Sequence, residues 1–280
     1  MKAVTRVLLL LLVPVSAWAA DGRLLATGGL TQVEGSAGGG IVPWAVLSSY
    51  ATEDQNGGTA YVSYVNTGDY SLWAGGVAFT IHNRVELSAA EQRLHLGTLA
   101  EALKLPGAEL RMQTFGAKVR LFGDAVYTAA PQISAGVQFK RNLDFDIPKL
   151  VGAKSKNGAD VYLAATKVFL GAVDGRHLLV NATLRATKAN QIGLLGFSDT
   201  YKVVPEFSAA LLLNNQVAVG GEYRVKPDQL AFSREDNWSD FFIAYFPNKN
   251  IGFTMGVAQL GMVATLPHQS GLFLSFQASY

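Results

Sequence analysis

One pair of residues near the C-terminus has the types and spacing of a hydrolase site. His268 and Ser270 lie two positions apart, with Gln269 between them. A histidine can act as the general base for a serine nucleophile, and outer-membrane phospholipases carry such a pair on one strand. Here the pair follows Pro267 in a predicted turn and lacks the motif that surrounds it in those enzymes. A polar hairpin loop is the preferred interpretation, and we expect no enzymatic activity.

Other catalytic or metal-binding arrangements are not apparent in the sequence. There is no cysteine, and the four histidines are far apart: His82, His95, His177 and His268. None of them has the short spacing of paired metal ligands, although a site assembled across strands stays open. The glycines Gly38 to Gly40 lack the lysine of a phosphate-binding loop, so we interpret them as a tight connection or a close backbone approach. We expect no metal and no cofactor.

Charged residues recur at alternate positions on one face of several predicted strands. Such charges suit a water-filled lumen, where they set the field on passing solutes, and they would be costly facing lipid. We predict six inward-facing, pore-lining residues: Lys140, Arg185, Glu206, Glu222, Arg224 and Lys226. Arg84 and Glu86 are further candidates. Because both signs occur, an open pore and a closed interior with paired charges are equal alternatives.

The segments that carry these residues alternate apolar and polar positions with the period of two typical of strands. In Gly271 to Tyr280, for example, Leu272, Leu274 and Phe276 share one apolar face. The pattern predicts thirteen strands, near 41–52, 58–66, 72–82, 84–97, 111–122, 131–141, 159–170, 177–188, 201–213, 216–226, 238–247, 251–258 and 271–280.

The connections between these strands are ordered by length. From residue 83 onward short and long connections alternate, apart from a short last loop near Pro267 to Ser270. Bacterial outer-membrane barrels have short periplasmic turns, long outer loops and an even number of strands. The glycine-rich stretch Leu24 to Glu34 supplies one further strand. We therefore predict an all-β, antiparallel transmembrane β-barrel of about 14 strands, with 12 as the alternative, and a soluble periplasmic sandwich as the less favoured fold.

The N-terminus has the features of a cleaved signal peptide. Lys2 and Arg6 precede an apolar run, and Ala17-Trp18-Ala19 is a small-x-small cleavage site. We expect residues 1–19 to be removed and residues 20–280 to form one barrel domain, exported through the periplasm.

Composition supports a barrel and gives no case for nucleic acid. The 23 basic residues less Lys2 and Arg6 leave 21, which equals the 21 acidic residues, so the mature chain is neutral. Apolar residues make up 49% of the chain, yet beyond the signal no run is long enough for a transmembrane helix.

Two smaller features accompany the strands. The composition of Leu99 to Leu105 predicts a short helix in an outer loop, acting either as a lid or as local packing. Five aromatic residues are predicted near strand ends, as membrane-interface anchors: Trp44, Trp73, Trp238, Tyr245 and Tyr280.

Three stretches resemble a known family. They are Gly22 to Thr52, Tyr61 to Tyr70 with its Asn66-Thr67-Gly68-Asp69 turn, and Arg84 to Ser88. They resemble the proteobacterial domain-of-unknown-function family three-zero-three-four. The resemblance covers the mature chain, and its specificity lies in the glycine-rich opening. It implies an exported outer-membrane protein, without a known activity or site residues.

The sequence therefore predicts a barrel in the outer membrane of a Gram-negative bacterium, in contact with lipid. The terminal strand, Gly271 to Tyr280, resembles the signal read by the outer-membrane assembly machinery. The favoured function is a porin-like channel or passive transporter of small solutes. The alternatives are a non-transporting barrel that acts through its outer loops and, less favoured, a membrane lipid hydrolase.

Overall fold

The computed structural model describes residues 23–280. The predicted signal peptide, residues 1–19, and its cleavage site lie outside these residues. The elements run in the following order: β1 Leu30–Thr31, β2 Ala37–Gly38, β3 Asn56–Asn66, β4 Ser71–Ile81, β5 Val85–His95, α1 Gly97–Ala102, β6 Glu109–Phe122, β7 Gln132–Asn142, α2 Asp146–Leu150, β8 Asn157–Val173, β9 Arg176–Ala189, a 3₁₀ turn Gln191–Gly193, β10 Phe197–Leu212, β11 Val217–Arg224, β12 Trp238–Asn248, β13 Ile251–Val263 and β14 Leu266–Ser279.

Strands β3 to β14 form a closed antiparallel barrel. Each strand pairs with the next along the chain, and β14 closes the ring by pairing with β3. The strand count within residues 23–280 is thus 12, so the alternative prediction is confirmed and the prediction of 14 is wrong. The twelve strands match the predicted segments from 58–66 to 271–280. No helix in this part of the chain is long and apolar enough to cross a membrane.

The two surplus predicted strands lie inside the barrel. Residues 24–34 and 41–52 belong to one segment, residues 23–55, which we call the plug segment. Within it β1 and β2 pair with each other in a two-stranded sheet separate from the wall. Every residue from Thr27 to Ala51 is buried. The segment was mistaken for wall because its apolar residues are as dense as those of a strand.

The two ends of the barrel differ in the length of their connections. One end, which we call the short-turn end, holds the C-terminus and the connections 82–84, 123–131, 174–175, 213–216 and 249–250. The other, the long-loop end, holds 67–70, 96–108, 143–156, 190–196, 225–237 and 264–265. In the tightest turns the backbone requires positive φ, as at Gly175 with φ 77°. The predicted alternation of short and long connections is confirmed.

Side chains alternate between the two faces of the wall. In β14, Leu272, Leu274 and Phe276 are exposed on the outside, whereas Phe273 and Gln277 are buried. The same alternation leaves large apolar side chains on the outer face of the other strands, including Val77, Phe115, Leu184, Phe207, Phe241 and Met255. An apolar outer face around a polar interior is typical of a barrel that meets lipid on the outside.

The helix predicted over Leu99 to Leu105 forms slightly earlier, as α1, in the loop 96–108 at the long-loop end. Its one buried residue is Ala100. The predicted short loop near Pro267 to Ser270 is wrong, because the last connection lies at 264–265 and these residues continue β14.

Candidate functional site

The inner face of the barrel is occupied by an ion-pair cluster that includes the plug segment. Glu34, in the turn between β1 and β2, lies at its centre and is fully buried. Its carboxylate accepts hydrogen bonds from Lys140 Nζ and from Arg224 Nη1, the latter at 2.7 Å. Arg185 Nη2 lies 3.8 Å from the same carboxylate. One acidic side chain of the plug segment therefore contacts three basic side chains of the wall.

The wall supplies only part of the counter-charge for these three cations. Asp160 lies 2.5 Å from Lys140 Nζ and 3.2 Å from Arg185 Nη1. Glu206 lies 2.6 Å from Arg185 Nε and 3.3 Å from Arg224 Nε. The wall alone has three positive and two negative groups here, and Glu34 brings the second number to three. Because an unpaired buried charge is costly, the plug segment completes the electrostatics of the lumen.

A second wall carboxylate, Glu222, holds the other side of the plug segment. It accepts hydrogen bonds from the backbone N–H of Ile41 at 2.7 Å and Val42 at 3.3 Å, and from Trp44 Nε1 at 3.2 Å. A Cβ on Gly39 would lie 2.0 Å from the same carboxylate. The glycine run thus allows a close backbone approach inside the barrel, and that prediction is confirmed.

A third anchor joins the plug segment to β5 and β6. Glu86 accepts hydrogen bonds from the backbone N–H of Ala37 at 3.2 Å and Ser48 at 2.7 Å. Lys118 Nζ donates to the carbonyl oxygens of Ala37 at 2.9 Å and Val46 at 2.8 Å. The pair Lys118–Glu86, 3.2 Å apart, therefore satisfies backbone groups that have no strand partner.

The structure brings five of the six predicted pore-lining residues to the plug segment or its ion-pair cluster: Lys140, Arg185, Glu206, Glu222 and Arg224. Lys226 is also buried but lies toward the long-loop end, where it pairs with Glu235 at 3.1 Å. Of the further candidates, Glu86 is buried and Arg84 is exposed. A pore-lining role for these residues stays a prediction.

Three charged residues of the interior were missed. Lys118 and Asp160 lie on strands whose alternation places them inward, beside Gly116 and Tyr162, so the same reasoning could have found them. Glu34 carried no such signal, since nothing in its sequence indicates that it leaves the wall.

Above the plug segment, toward the long-loop end, the lumen contains an apolar cavity. Its floor is formed by Val33, Gly40 and Ile41 of the plug segment, and Leu194 lies over it from the loop 190–196. The space between atoms is about 680 Å³ with its mouth included, of which about 50 Å³ admits the centre of a water molecule. The walls are mostly aliphatic and aromatic side chains, such as Val65, Leu94, Ala258 and Phe273.

Two polar residues line this cavity, Trp238 and Asp240. They lie two positions apart on β12 and are 5% and 2% exposed. Among the described residues, the Trp238 Nε1 and Asp240 Oδ1 atoms have no hydrogen-bond partner. Buried polar atoms without partners are uncommon, because each costs about 1–3 kcal/mol.

The aromatic residues predicted as interface anchors divide into two groups. Trp73, Tyr245 and Tyr280 are exposed on the outside. Trp44 and Trp238 are buried in the interior, so the anchoring prediction is wrong for them. Trp44 belongs to the plug segment and donates to Ser208 Oγ at 2.9 Å, while the Trp238 ring lies 4.2 Å from Lys226 Nζ.

The possible hydrolase pair lies on the outer side of β14. His268 and Ser270 are both exposed, and the intervening Gln269 is buried, where it donates to Asp69 at 2.8 Å. Within residues 23–280 no group of three or more histidine, aspartate or glutamate residues is arranged to hold a metal ion.

The loops at the long-loop end are fixed by carboxylates. Asp144 accepts from Arg111 Nη2 and Nε at 2.8 and 2.9 Å, and these hydrogen bonds lower the pKa of its carboxyl. Hydrogen bonds from Gln269 and Thr98 lower the pKa of Asp69 in the same way. The rim around the cavity is thus ordered by charge-assisted contacts.

The sequence of residues 27–277 matches the family described as Protein of unknown function (DUF3034). The chain belongs to this family. The resemblance found in the glycine-rich opening is therefore confirmed over nearly the whole mature chain. No curated protein matches the sequence.

Solved structures similar to this DUF3034 chain are membrane barrels. A NanC porin superposes with a TM-score of 0.50 at 9% identity, over 80% of this chain and 98% of the porin. The COG4313 outer membrane channel from Pseudomonas putida F1 gives 0.46 at 12% identity, over 83% and 97%. Outer membrane phospholipase A from Escherichia coli gives 0.37 at 7%, over 84% and 93%. At these identities the likeness shows the fold alone, an outer-membrane-type barrel.

Proposed function

We propose that the protein is an outer-membrane channel or transporter of small solutes whose lumen is closed at rest by its own plug segment. Export by the signal peptide and insertion by the assembly machinery, acting on Gly271 to Tyr280, bring it to the outer membrane of a Gram-negative bacterium. The short-turn end then faces the periplasm. The apolar outer face and the likeness to a porin support this placement.

The observation that carries the proposal is the position of Glu34. Three wall cations meet it inside the barrel, so the charges predicted to line a pore are bound to a segment that fills it. A structural core built only for stability does not need a separate segment to complete its charges. A lumen that opens does, because the wall charges are then free to contact a solute.

The plug segment is also attached in a way that permits movement. No ladder of paired strand residues joins it to the wall within the described chain, and β1 pairs only with β2. It is held by side-chain hydrogen bonds and ion pairs, so its displacement leaves all twelve wall strands paired. Solute passage thus requires rearrangement of this segment and not of the barrel.

The experiment that tests this proposal is single-channel recording in planar bilayers. The refolded mature protein is expected to stay mostly closed, with rare steps. Glu34→Ala leaves three buried cations short of one counter-charge, which costs about 3–5 kcal/mol of docking free energy. The open fraction should therefore rise by at least about 100-fold. Glu53→Ala, at an exposed position of the same segment, is the matched control and should behave as wild type.

A reversible lock provides a second arm. The chain has no cysteine, and Ser48 Oγ lies 2.9 Å from Thr80 Oγ1 on β4. In the Glu34→Ala background, Ser48→Cys with Thr80→Cys should suppress the steps under oxidation, and reductant should restore them. Steady wild-type current would contradict closure at rest.

A second candidate function is a non-transporting barrel that acts through its outer loops. The full pairing of the lumen charges favours it, as does the ordered rim with Asp144 and Asp69. Folded Glu34→Ala barrels as silent as wild type would reject passage and leave this candidate.

A further inference from the structure

The cavity between the plug segment and the loop 190–196 has features that a filled core lacks. Its floor and walls are apolar, yet two polar residues with unpartnered buried atoms line it. Both come from one face of β12, two positions apart, so their Cα atoms are separated by about 7 Å. In a core shaped only for packing, a phenylalanine and a leucine would serve at these positions without that cost.

The chemistry of the two free atoms is complementary. Trp238 Nε1 can only donate a hydrogen bond, and the free Oδ1 of a carboxylate accepts one. Glu222, the register partner of Asp240 on β11, is already occupied by four donors: the N–H groups of Ile41 and Val42, the indole of Trp44 and the hydroxyl of Ser208. A second, unsatisfied carboxyl remains beside it and is directed to another partner.

The space at Asp240 is kept open by the plug segment. A Cβ on Gly40 would lie 2.9 Å from Asp240 Oδ2 and 3.4 Å from the Phe273 ring. Any larger residue at position 40 would therefore fill the floor of the cavity beside the carboxyl. The glycine run thus serves the plug segment twice, at Glu222 through Gly39 and at the cavity through Gly40.

We propose that this cavity binds a small, largely apolar molecule that carries a hydroxyl group, held by the Trp238 indole N–H and the Asp240 carboxyl. A hydroxyl both accepts and donates, so alcohols and phenols match the two atoms, whereas hydrocarbons leave both unpaired. A carboxylate would be repelled by Asp240. This inference rests on the proposed handling of small solutes and names their class.

The size of the cavity limits the ligand. The region that admits a water centre has room for about four waters, at ~10–15 Å³ each. With the mouth included, a single ring or a short chain fits. Leu194 lies over the site from a loop, so entry requires movement of loop 190–196 and leaves the plug segment in place.

The test is a binding titration with phenol, toluene and benzoate as probes, using the full mature protein in lipid nanodiscs. Phenol is expected to bind saturably. Toluene should bind about two- to tenfold more weakly, since one net hydrogen bond changes an equilibrium constant by that factor. Benzoate should not compete. Trp238→Phe should remove the preference for phenol over toluene while retaining the apolar contact.

A matched pair of variants separates the cavity from the lipid. Ala258 is buried and lines the cavity, whereas its neighbour Val257 is exposed on the outer face. Ala258→Leu should abolish saturable binding, and Val257→Leu should not change it. Equal binding of phenol and toluene in every variant would show partition into lipid and overturn the proposal. A high-resolution structure soaked in phenol that shows ordered waters alone on Trp238 and Asp240 would also overturn it.

The outcome is independent of the channel recordings. Saturable phenol binding together with silent Glu34→Ala barrels would retain the site and reject passage through the lumen. Channel steps without phenol binding would reject the site and retain the channel.

Discussion

Two apolar segments of this chain lie in different surroundings, β14 in the barrel wall and residues 41–52 in the lumen. In β14 the apolar residues occupy alternate positions, and the intervening side chains face inward. In the plug segment Ile41 and Val42 are followed by Pro43, Trp44 and a further apolar run, and both faces are buried. The difference teaches that density of apolar residues does not identify a wall strand. A wall strand needs one row for lipid and one row for the interior.

The largest expected effect concerns the charges that join wall and plug segment. Arg185 is buried and paired with Glu206 and Asp160. Arg185→Leu leaves these carboxylates short of a cation, so we expect a loss of about 3–5 kcal/mol in the free energy of unfolding. Denaturant unfolding in lipid vesicles measures it.

The control for Arg185 is Arg93→Leu. Arg93 forms an exposed pair with Glu91 at 2.7 Å, and such pairs contribute less than about 1 kcal/mol. Equal losses for the two variants would mean that the wall does not depend on the interior charges, and the comparison between wall and plug segment would fail.

The next effect tests the lipid-facing row of β14. Leu274 is exposed on the outside, opposite Met255 and Tyr64 on the neighbouring strands. Leu274→Lys places a charge in the apolar belt, at a cost of about 2–4 kcal/mol if the site is near the bilayer midplane. Unfolding in vesicles of the same lipid provides the measurement. Leu150→Lys, in α2 of an outer loop and 86% exposed, should be neutral.

Retained stability of Leu274→Lys would show that this face meets water. The outer-membrane assignment would then have to be replaced by the soluble sandwich or barrel considered from sequence.

Much of the fold was predictable from local patterns. All twelve wall strands follow from alternation, and the charges on β10 and β11 were placed inward because Val203 and Phe207 mark the opposite row. The ordering of loops by length followed from the turn residues. These features depend on neighbours along the chain, which the sequence displays directly.

The plug segment and the cavity were not predictable in this way. Residues 24–34 and 41–52 were assigned to the wall because an odd number of strands cannot close a bacterial barrel with this topology. The counter-signal was present, since Pro43 and three glycines interrupt the run and no polar row alternates with it. What the sequence could not display is that Glu34 meets Lys140, 106 positions away, or that two atoms on β12 are left unpaired.

The smallest expected effect compares two tryptophans that were assigned one role. Trp44 in the plug segment donates through Nε1 to Ser208 and Glu222, whereas Trp73 on the outer face stacks at 4.6 Å on Tyr64. Trp44→Phe removes the donor and retains the ring, so it should weaken docking of the plug segment by about 1 kcal/mol. Trp73→Phe removes a donor that faces lipid and should leave docking unchanged. Hydrogen exchange of the amides from Thr27 to Ala51 reads docking without reading the wall, because the wall amides belong to separate ladders. Faster exchange in Trp44→Phe alone separates a residue of the lumen from one of the membrane surface, and equal exchange in both variants would remove that distinction.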